Sequence, residues 1–263
     1  MSAILLHNRI VHFEVLGRGR PVVFLHGWVG SWRYWIPAMQ TAAMSFRAYA
    51  IDLWGFGDTA HEPEYYALDR QVDLLFSFMN EMGIGKIALI GHSLGALVGI
   101  QFARQHPEMV DRLMGVAVPF EIDAVQGRLR SPASLVDLAD WLLARNPISD
   151  LARGDAVKAD PQAIAASLSA LNINPFLPAM DTLQTPCLIV HGENDPAVQT
   201  PAFERFEAMP TGVHQIVLEQ CGHFPMLDAS ARFNRLMTDF LTLESHESPR
   251  QLQLKEEWKR RMR

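Results

Sequence analysis

Polar and apolar residues alternate along Arg9–Gly17, RIVHFEVLG, and give way after a GRGRP turn to an unbroken apolar run, VVFLHG, at Val22–Gly27. Alternation places one face of a strand on a core and the other in water, whereas a short continuous run fits a strand covered on both faces. Further buried-strand runs follow in FRAYAID, KIALIGH, RLMGVAV, CLIVHG and HQIVLEQ. Between them, apolar residues recur at three- and four-residue steps over Tyr66–Met82, Leu94–Arg104, Pro201–Ala208 and Ser230–Leu243, which predicts helices. Strands alternating with amphipathic helices imply parallel β-α-β units, with the first strands added antiparallel at one edge. The expected fold class is α/β.

One region breaks the rhythm. From about Phe120 to Met180 there is no convincing strand, only Ala- and Leu-rich helical stretches such as SLVDLADWLLARN and PQAIAASLSAL, punctuated by Pro132, Pro147 and Pro161. An all-helical insertion between two sheet strands is most simply a cap over one end of the sheet. The chain therefore divides into core at 1–119, cap at 120–180, core again at 181–244 and a basic tail at 245–263. No internal repeat or low-complexity linker interrupts it.

Composition narrows the classes. With 263 residues, 49% hydrophobic and 20% charged, the chain can bury a sizeable core as one larger α/β domain. A net charge of −6 without a basic face argues against a nucleic-acid partner. MSAILLHNRIVHFEVLG lacks a basic n-region, a long apolar stretch and a small-residue cleavage site, so it reads as strand rather than export signal. No run is long enough to span a bilayer, so stable membrane insertion is not expected. Cys187 and Cys221 offer neither a paired framework nor metal spacing, and a cytoplasmic setting is the default expectation.

The chemistry begins in ALIGHSLGALVG, where a strand run passes into a helical run at Gly91-His92-Ser93-Leu94-Gly95. That is the context in which G-x-S-x-G forms a nucleophile elbow, with glycines removing side chains that would collide in the sharp turn. Chance alone produces the pattern in roughly one chain in ten of this length, so its surroundings must carry the argument. A serine hydroxyl needs a base, and CGHFPMLD places His223 just past the last predicted strand, at the same end of the sheet. HGENDPAV sets Asp195 in the turn after a buried strand, as the acid that would orient the imidazole. The chain order Ser93, Asp195, His223 is the one this elbow requires.

Competing residues fare less well. Glu193 is the reserve acid, with Glu121 and Asp123 behind it. His26, His92 and His191 are expected in structural roles, and His7, His12, His61, His106, His214 and His246, on strands, helices or tails with no polar companions by sequence, are expected to take no part in the chemistry. FLHGWVGSW ends a buried strand in His26-Gly27, so the backbone amides of Trp28 and Leu94 can together point at a developing oxyanion. The Trp28 side chain is a candidate pocket wall.

The elbow, the His-Gly turn, the Asp-Pro turn, the terminal Gly-His and the loop DLWGFGDT at Asp52–Thr59 together resemble the α/β-hydrolase superfamily over about Ile10–Leu243. The resemblance implies a mostly parallel eight-stranded sheet flanked by helices, with the cap inserted after the sixth strand. It also implies that DLWGFGDT is a structural turn near the oxyanion loop. Within the superfamily the chain is similar to small serine carboxylesterases and cofactor-free haloperoxidases. Ser93 sets it apart from haloalkane dehalogenases and epoxide hydrolases, whose elbow carries an aspartate.

The expected substrate is a small to medium, largely apolar acyl compound, cleaved with water and no metal or organic cofactor. Phe120, Trp141, Phe176, Met180 and Phe224, with Trp28, are the candidate substrate-binding residues, and Leu142, Leu143 and Leu177 extend the apolar set. Arg128 and Arg130 are expected on a solvated face. The same triad chemistry leaves thioester hydrolysis, acyl transfer or perhydrolysis, carbon-carbon bond hydrolysis and N-terminal proline cleavage open, as well as a receptor that keeps the fold. Leu254, Trp258 and Met262 recur at spacing four in the tail, which could dock on the body or on a second subunit, leaving a homodimer open.

Overall fold

The computed structural model describes residues 2–130, 134–173, 175–244 and 247–252. Its centre is an eight-stranded sheet in the spatial order β1-β2-β4-β3-β5-β6-β7-β8. The strands are β1 (Ser2–Leu6), β2 (Arg9–Gly17), β3 (Arg20–Leu25), β4 (Phe46–Ile51), β5 (Ile87–His92), β6 (Val110–Val116), β7 (Cys187–Gly192) and β8 (Val213–Leu218). β1 pairs antiparallel with β2, and β2 with β4; every other pairing is parallel. Periodicity thus predicted both the sheet and its antiparallel edge. Strands β5 and β7 are buried along their whole length, as continuous apolar runs require.

Helices α1 (Ile36–Ala42), α2 (Leu68–Glu81), α3 (Leu94–Gln105), α8 (Phe203–Glu207), α9 (Pro225–Asp228) and α10 (Ser230–Thr242) accompany the sheet, while α4 (Gly127–Arg130), α5 (Leu135–Leu142), α6 (Pro147–Asp155) and α7 (Pro161–Ile173) lie between β6 and β7. On α2, Leu68, Gln71, Val72, Leu74, Leu75, Phe78 and Met79 form the buried stripe. Two predicted starts move inward, from Tyr66 to Leu68 and from Pro201 to Phe203, because extended residues (Ala67 and Ala202) precede each helix. Helix α1 was not foreseen. It is only seven residues long and carries Pro37 in its first turn, too short for a periodicity window.

Among the described residues, the stretch between β6 and β7 contains helices and a single isolated bridge, Val125 to Val198, but no strand. It is fastened to the core by side-chain bonds, some buried and some exposed. Trp28 Nε1 donates to Ser167 Oγ on α7 at 2.6 Å, and Tyr66 Oη donates to Asp160 at 2.7 Å. Asp155, at the end of α6, accepts from Ser31 Oγ and Arg33 Nε, and Lys158 reaches Asp58 at 2.8 Å. No described helix is long and apolar enough to cross a membrane. The proposed tail helix with Leu254, Trp258 and Met262 lies outside the described residues, as does His246.

Candidate active site

All parallel strands point the same way, so the turns that follow them gather at one end of the sheet, where ligands of open α/β folds bind. After β5 the chain turns at Ser93 with φ 50° and ψ −110°, a strained conformation for a residue with a side chain. The strain is held from both sides: Ser93 N donates to Val116 O at 2.8 Å, and Gly95 N to His26 O at 3.0 Å. A Cβ on Gly91 would meet Gly95 O at 2.3 Å, and one on Gly95 would meet Leu25 O at 2.3 Å, so the elbow closes only with glycine at both places. Ser93 Oγ is buried and has no hydrogen-bond partner among the described residues.

The turn after β3 is pressed against this serine. A Cβ on Gly27 would lie 2.9 Å from Ser93 Cβ. His26 locks the turn: its Nδ1–H donates to Gly27 O at 2.8 Å while its Nε2 accepts from Leu53 N at 3.0 Å. Neither the Trp28 nor the Leu94 amide has a partner among the turn, loop and cap hydrogen bonds of the described residues, which leaves both available to a ligand. The indole of Trp28 is spent on Ser167, so that side chain ties the turn to α7.

After β7 and β8, the two remaining turns meet. His223 Nδ1 donates to Asp195 Oδ2 at 2.9 Å, with side-chain exposures of 3% and 1%. The other oxygen, Asp195 Oδ1, accepts from Ala197 N at 2.8 Å and Val198 N at 3.1 Å. Burial alone would raise the Asp195 pKa, but the imidazole of His223 and the two amides outweigh it and hold the carboxyl below its ordinary value. Asn194 N bonds Cys221 O at 2.8 Å, stitching the acid turn to the histidine loop. Glu193, the reserve acid, is exposed and accepts from Gln220 N. Glu121, also exposed, opens the 3-10 turn that contains Asp123.

His92 and His191 are buried and bonded to main-chain carbonyls. Burial lowers the His191 pKa to about 4 and drives that of His92 well below the ordinary range. His12 is a correction. It has a polar companion that the sequence did not reveal, Asp52 Oδ2, 2.8 Å from its Nδ1. Asp52 also accepts from Trp32 N and Asp58 N, so the DLWGFGDT loop is bonded to the segment that follows β3. His12, Asp52 and Asp58 could bring three ligand atoms within 4.8 Å of one another. Their contacts are those of a hydrogen-bonded brace, with Lys158 on Asp58 supplying the local positive charge. His7 is likewise corrected, contacting Ser77 Oγ at 3.1 Å.

The apolar candidates are scattered. Phe224 is wedged against His92 and Tyr34, with ring centroids at 4.6 and 5.4 Å. Phe120 packs on Phe206 and His191, and Met180 is fully buried. Arg128 is exposed, as a solvated face requires, and its guanidinium lies over the Trp141 ring at 5.0 Å. Phe176 lines an open groove of about 1040 Å³ with Leu68, Arg104 and Ile173, and this groove holds none of Ser93, Asp195 or His223. Sequence reasoning missed Tyr34, whose hydroxyl joins Gly27 N to His92; nothing in its local pattern distinguishes it from an ordinary aromatic.

The 2-hydroxy-6-oxo-2,4-heptadienoate hydrolase of Pseudomonas putida is 26% identical over 254 residues, covering 87% of this chain and 91% of that protein. The pimeloyl-[acyl-carrier protein] methyl ester esterase of Nitrosomonas europaea is 24% identical, over 85% of this chain and 96% of its own. Among solved structures, a meta-cleavage product hydrolase of Pseudomonas fluorescens superposes with a TM-score of 0.79 at 23% identity, covering 92% of this chain and 97% of that one. A family model described as the alpha/beta hydrolase family matches residues 22–236. On that match, the sheet order and the elbow at Ser93, this chain belongs to the alpha/beta hydrolase family.

Proposed function

We propose that the protein is a serine hydrolase of carboxylic esters, with Ser93 as nucleophile, His223 as general base and Asp195 as the acid that orients it. One observation carries this reading: the bonded His223–Asp195 pair and the strained Ser93 stand at the same end of the sheet. Nδ1 of His223 donates to Asp195, so Nε2 is left as the acceptor for the serine proton. Ser93 Oγ attacks the acyl carbonyl, and the Trp28 and Leu94 amides hold the oxyanion. His223 then protonates the departing alcohol. Water repeats the cycle on the acyl-enzyme and releases the acid. The bond from His223 to the serine is made as substrate binds, in keeping with the partnerless Oγ of the free protein.

The helical segment 120–180 acts in this reading as a cap that admits a small to medium acyl group, with Phe120, Met180, Phe224 and the Trp28 wall supplying its apolar surroundings. Hydrolysis of a carbon–carbon bond beside a carbonyl is the second reading. It is favoured by the Pseudomonas putida relative, which matches nearly end to end. Both activities would use the same serine. The test is steady-state hydrolysis of p-nitrophenyl esters from acetate to palmitate, beside 2-hydroxy-6-oxo-2,4-heptadienoate, for wild type and Ser93→Ala. Ester turnover that vanishes in the variant is expected. Turnover of the dienoate alone would transfer the proposal to the second reading, and ester turnover surviving in Ser93→Ala would overturn it.

A further inference from the structure

Three turns of the candidate site are joined by a chain of buried hydrogen bonds that the proposed reaction does not itself consume. Gly27 N lies 2.6 Å from Tyr34 Oη, Tyr34 Oη lies 2.9 Å from His92 Nδ1, and His92 Nε2 lies 2.9 Å from the carbonyl oxygen of His223. The proton positions follow from the end groups. An amide can only donate and a carbonyl can only accept. His92 must therefore carry its proton on Nε2, which leaves Nδ1 to accept from the Tyr34 hydroxyl, and that hydroxyl accepts in turn from the Gly27 amide. Every proton is used once, and the chain has one direction.

Its members are sealed from water: Tyr34 is 0% and His92 1% exposed. The rings also fix one another. Tyr34 meets His92 edge-on at 5.5 Å and 90°, and Phe224 closes on both. Burial, with His223 alongside, keeps His92 neutral, and a second proton on its ring would turn Nδ1 into a donor and leave the Tyr34 proton without an acceptor. The chain starts one residue before Trp28, passes through the residue before Ser93, and ends on the backbone of His223 itself.

We propose that Tyr34 and His92 are positioning residues: through this one-directional chain they hold the oxyanion turn, the nucleophile elbow and the histidine loop in a single mutual register. The proposal rests on the serine-hydrolase reading above. It differs from core packing in a testable way, because phenylalanine at position 34 fills the same space and removes only the hydroxyl.

The experiment compares wild type, Tyr34→Phe, Ser93→Ala and a remote core control, Phe78→Leu, which packs on Phe13 and Tyr49. A fluorophosphonate probe is followed by intact mass, so the rate of Ser93 labelling is read without a known substrate. The low-field proton resonance of His223 Nδ1–H and the melting temperature are recorded beside it. Expected are labelling of wild type, none of Ser93→Ala, and labelling of Tyr34→Phe slowed by at least about tenfold with a shifted or broadened His223 resonance. Phe78→Leu should lower the melting temperature and leave the rate and the resonance unchanged. Labelling of Tyr34→Phe within about twofold of wild type overturns the proposal while the serine-hydrolase reading stands. So does an equal slowing in Phe78→Leu, which would make the effect one of stability. Wild type that takes no label overturns both.

Discussion

At the scale of single residues, the two carboxylate oxygens of Asp195 have separate duties, and this predicts the behaviour of the isosteric amide. Oδ1 accepts from the Ala197 and Val198 amides, so in Asp195→Asn the side-chain oxygen stays there and the NH₂ group faces His223. Nδ1 must then accept, Nε2 carries the proton, and in the proposed mechanism the imidazole can no longer take one from Ser93. The expected loss is on the order of 10⁴ in kcat with KM nearly unchanged. Rates within tenfold of wild type would remove Asp195 from the role. Gly27→Ala is the corresponding steric test, since its methyl would fall 2.8 Å from His92 Nδ1 and 2.9 Å from Ser93 Cβ. Displacement of the elbow should lower kcat by about 100-fold, measured beside a thermal melt to show that the fold survives.

Between elements, the decisive contacts are those that fasten the segment between β6 and β7 to the turns of the site. Ser167 Oγ receives the Trp28 indole and donates to Ile164 O within its own helix, so one hydroxyl couples α7 to the turn after β3. Ser167→Ala leaves a buried indole N–H without an acceptor. Urea denaturation should show a loss of about 1–3 kcal/mol, and wild-type stability would mean that water replaces the hydroxyl. Asp155 has three partners, Ser31, Arg33 and Lys158, and its side chain is nearly buried. Removing it in Asp155→Ala should raise amide exchange across α6 while leaving β5 and β7 protected. Uniformly faster exchange would instead show that the segment and the sheet open together.

For the whole molecule, two histidine–carboxylate pairs predict how stability changes with pH. Burial would lower the His12 pKa, but the hydrogen bond and charge of Asp52 outweigh it and leave the value above 6.5. A raised pKa means that the folded form favours the proton. This stabilisation is complete below about pH 6.5 and is lost as pH rises through the higher folded value. Asp195 runs the other way: its depressed pKa stabilises the fold above the ordinary carboxyl value of 3.8, and that stability is lost as pH falls through the lower folded value. Denaturation midpoints measured from acid to weakly basic pH should therefore fall at both ends. In His12→Asn the decline above about pH 6.5 should be shallower, and an unchanged slope would exclude His12 as its source.

The sequence by itself determined the alternation of strands and helices, the all-helical stretch between the sixth and seventh strands, and the order Ser93, Asp195, His223 along the chain. Hydrophobic period is local, following from which face a residue buries, the elbow needs only glycines two residues either side of the serine, and the order is read directly along the chain. Only the tertiary structure decided which polar groups meet across long sequence separations. His12 looked solitary beside its own neighbours, yet its partner Asp52 arrives from the adjoining β4 side of the sheet. Tyr34 looked like any core aromatic until folding set its hydroxyl between Gly27 and His92. Trp28, a candidate pocket wall by sequence, is also a tether, because its indole donates to Ser167, 139 residues away. A buried donor takes whichever acceptor the packing of distant elements brings within about 3 Å, and no periodicity records that choice.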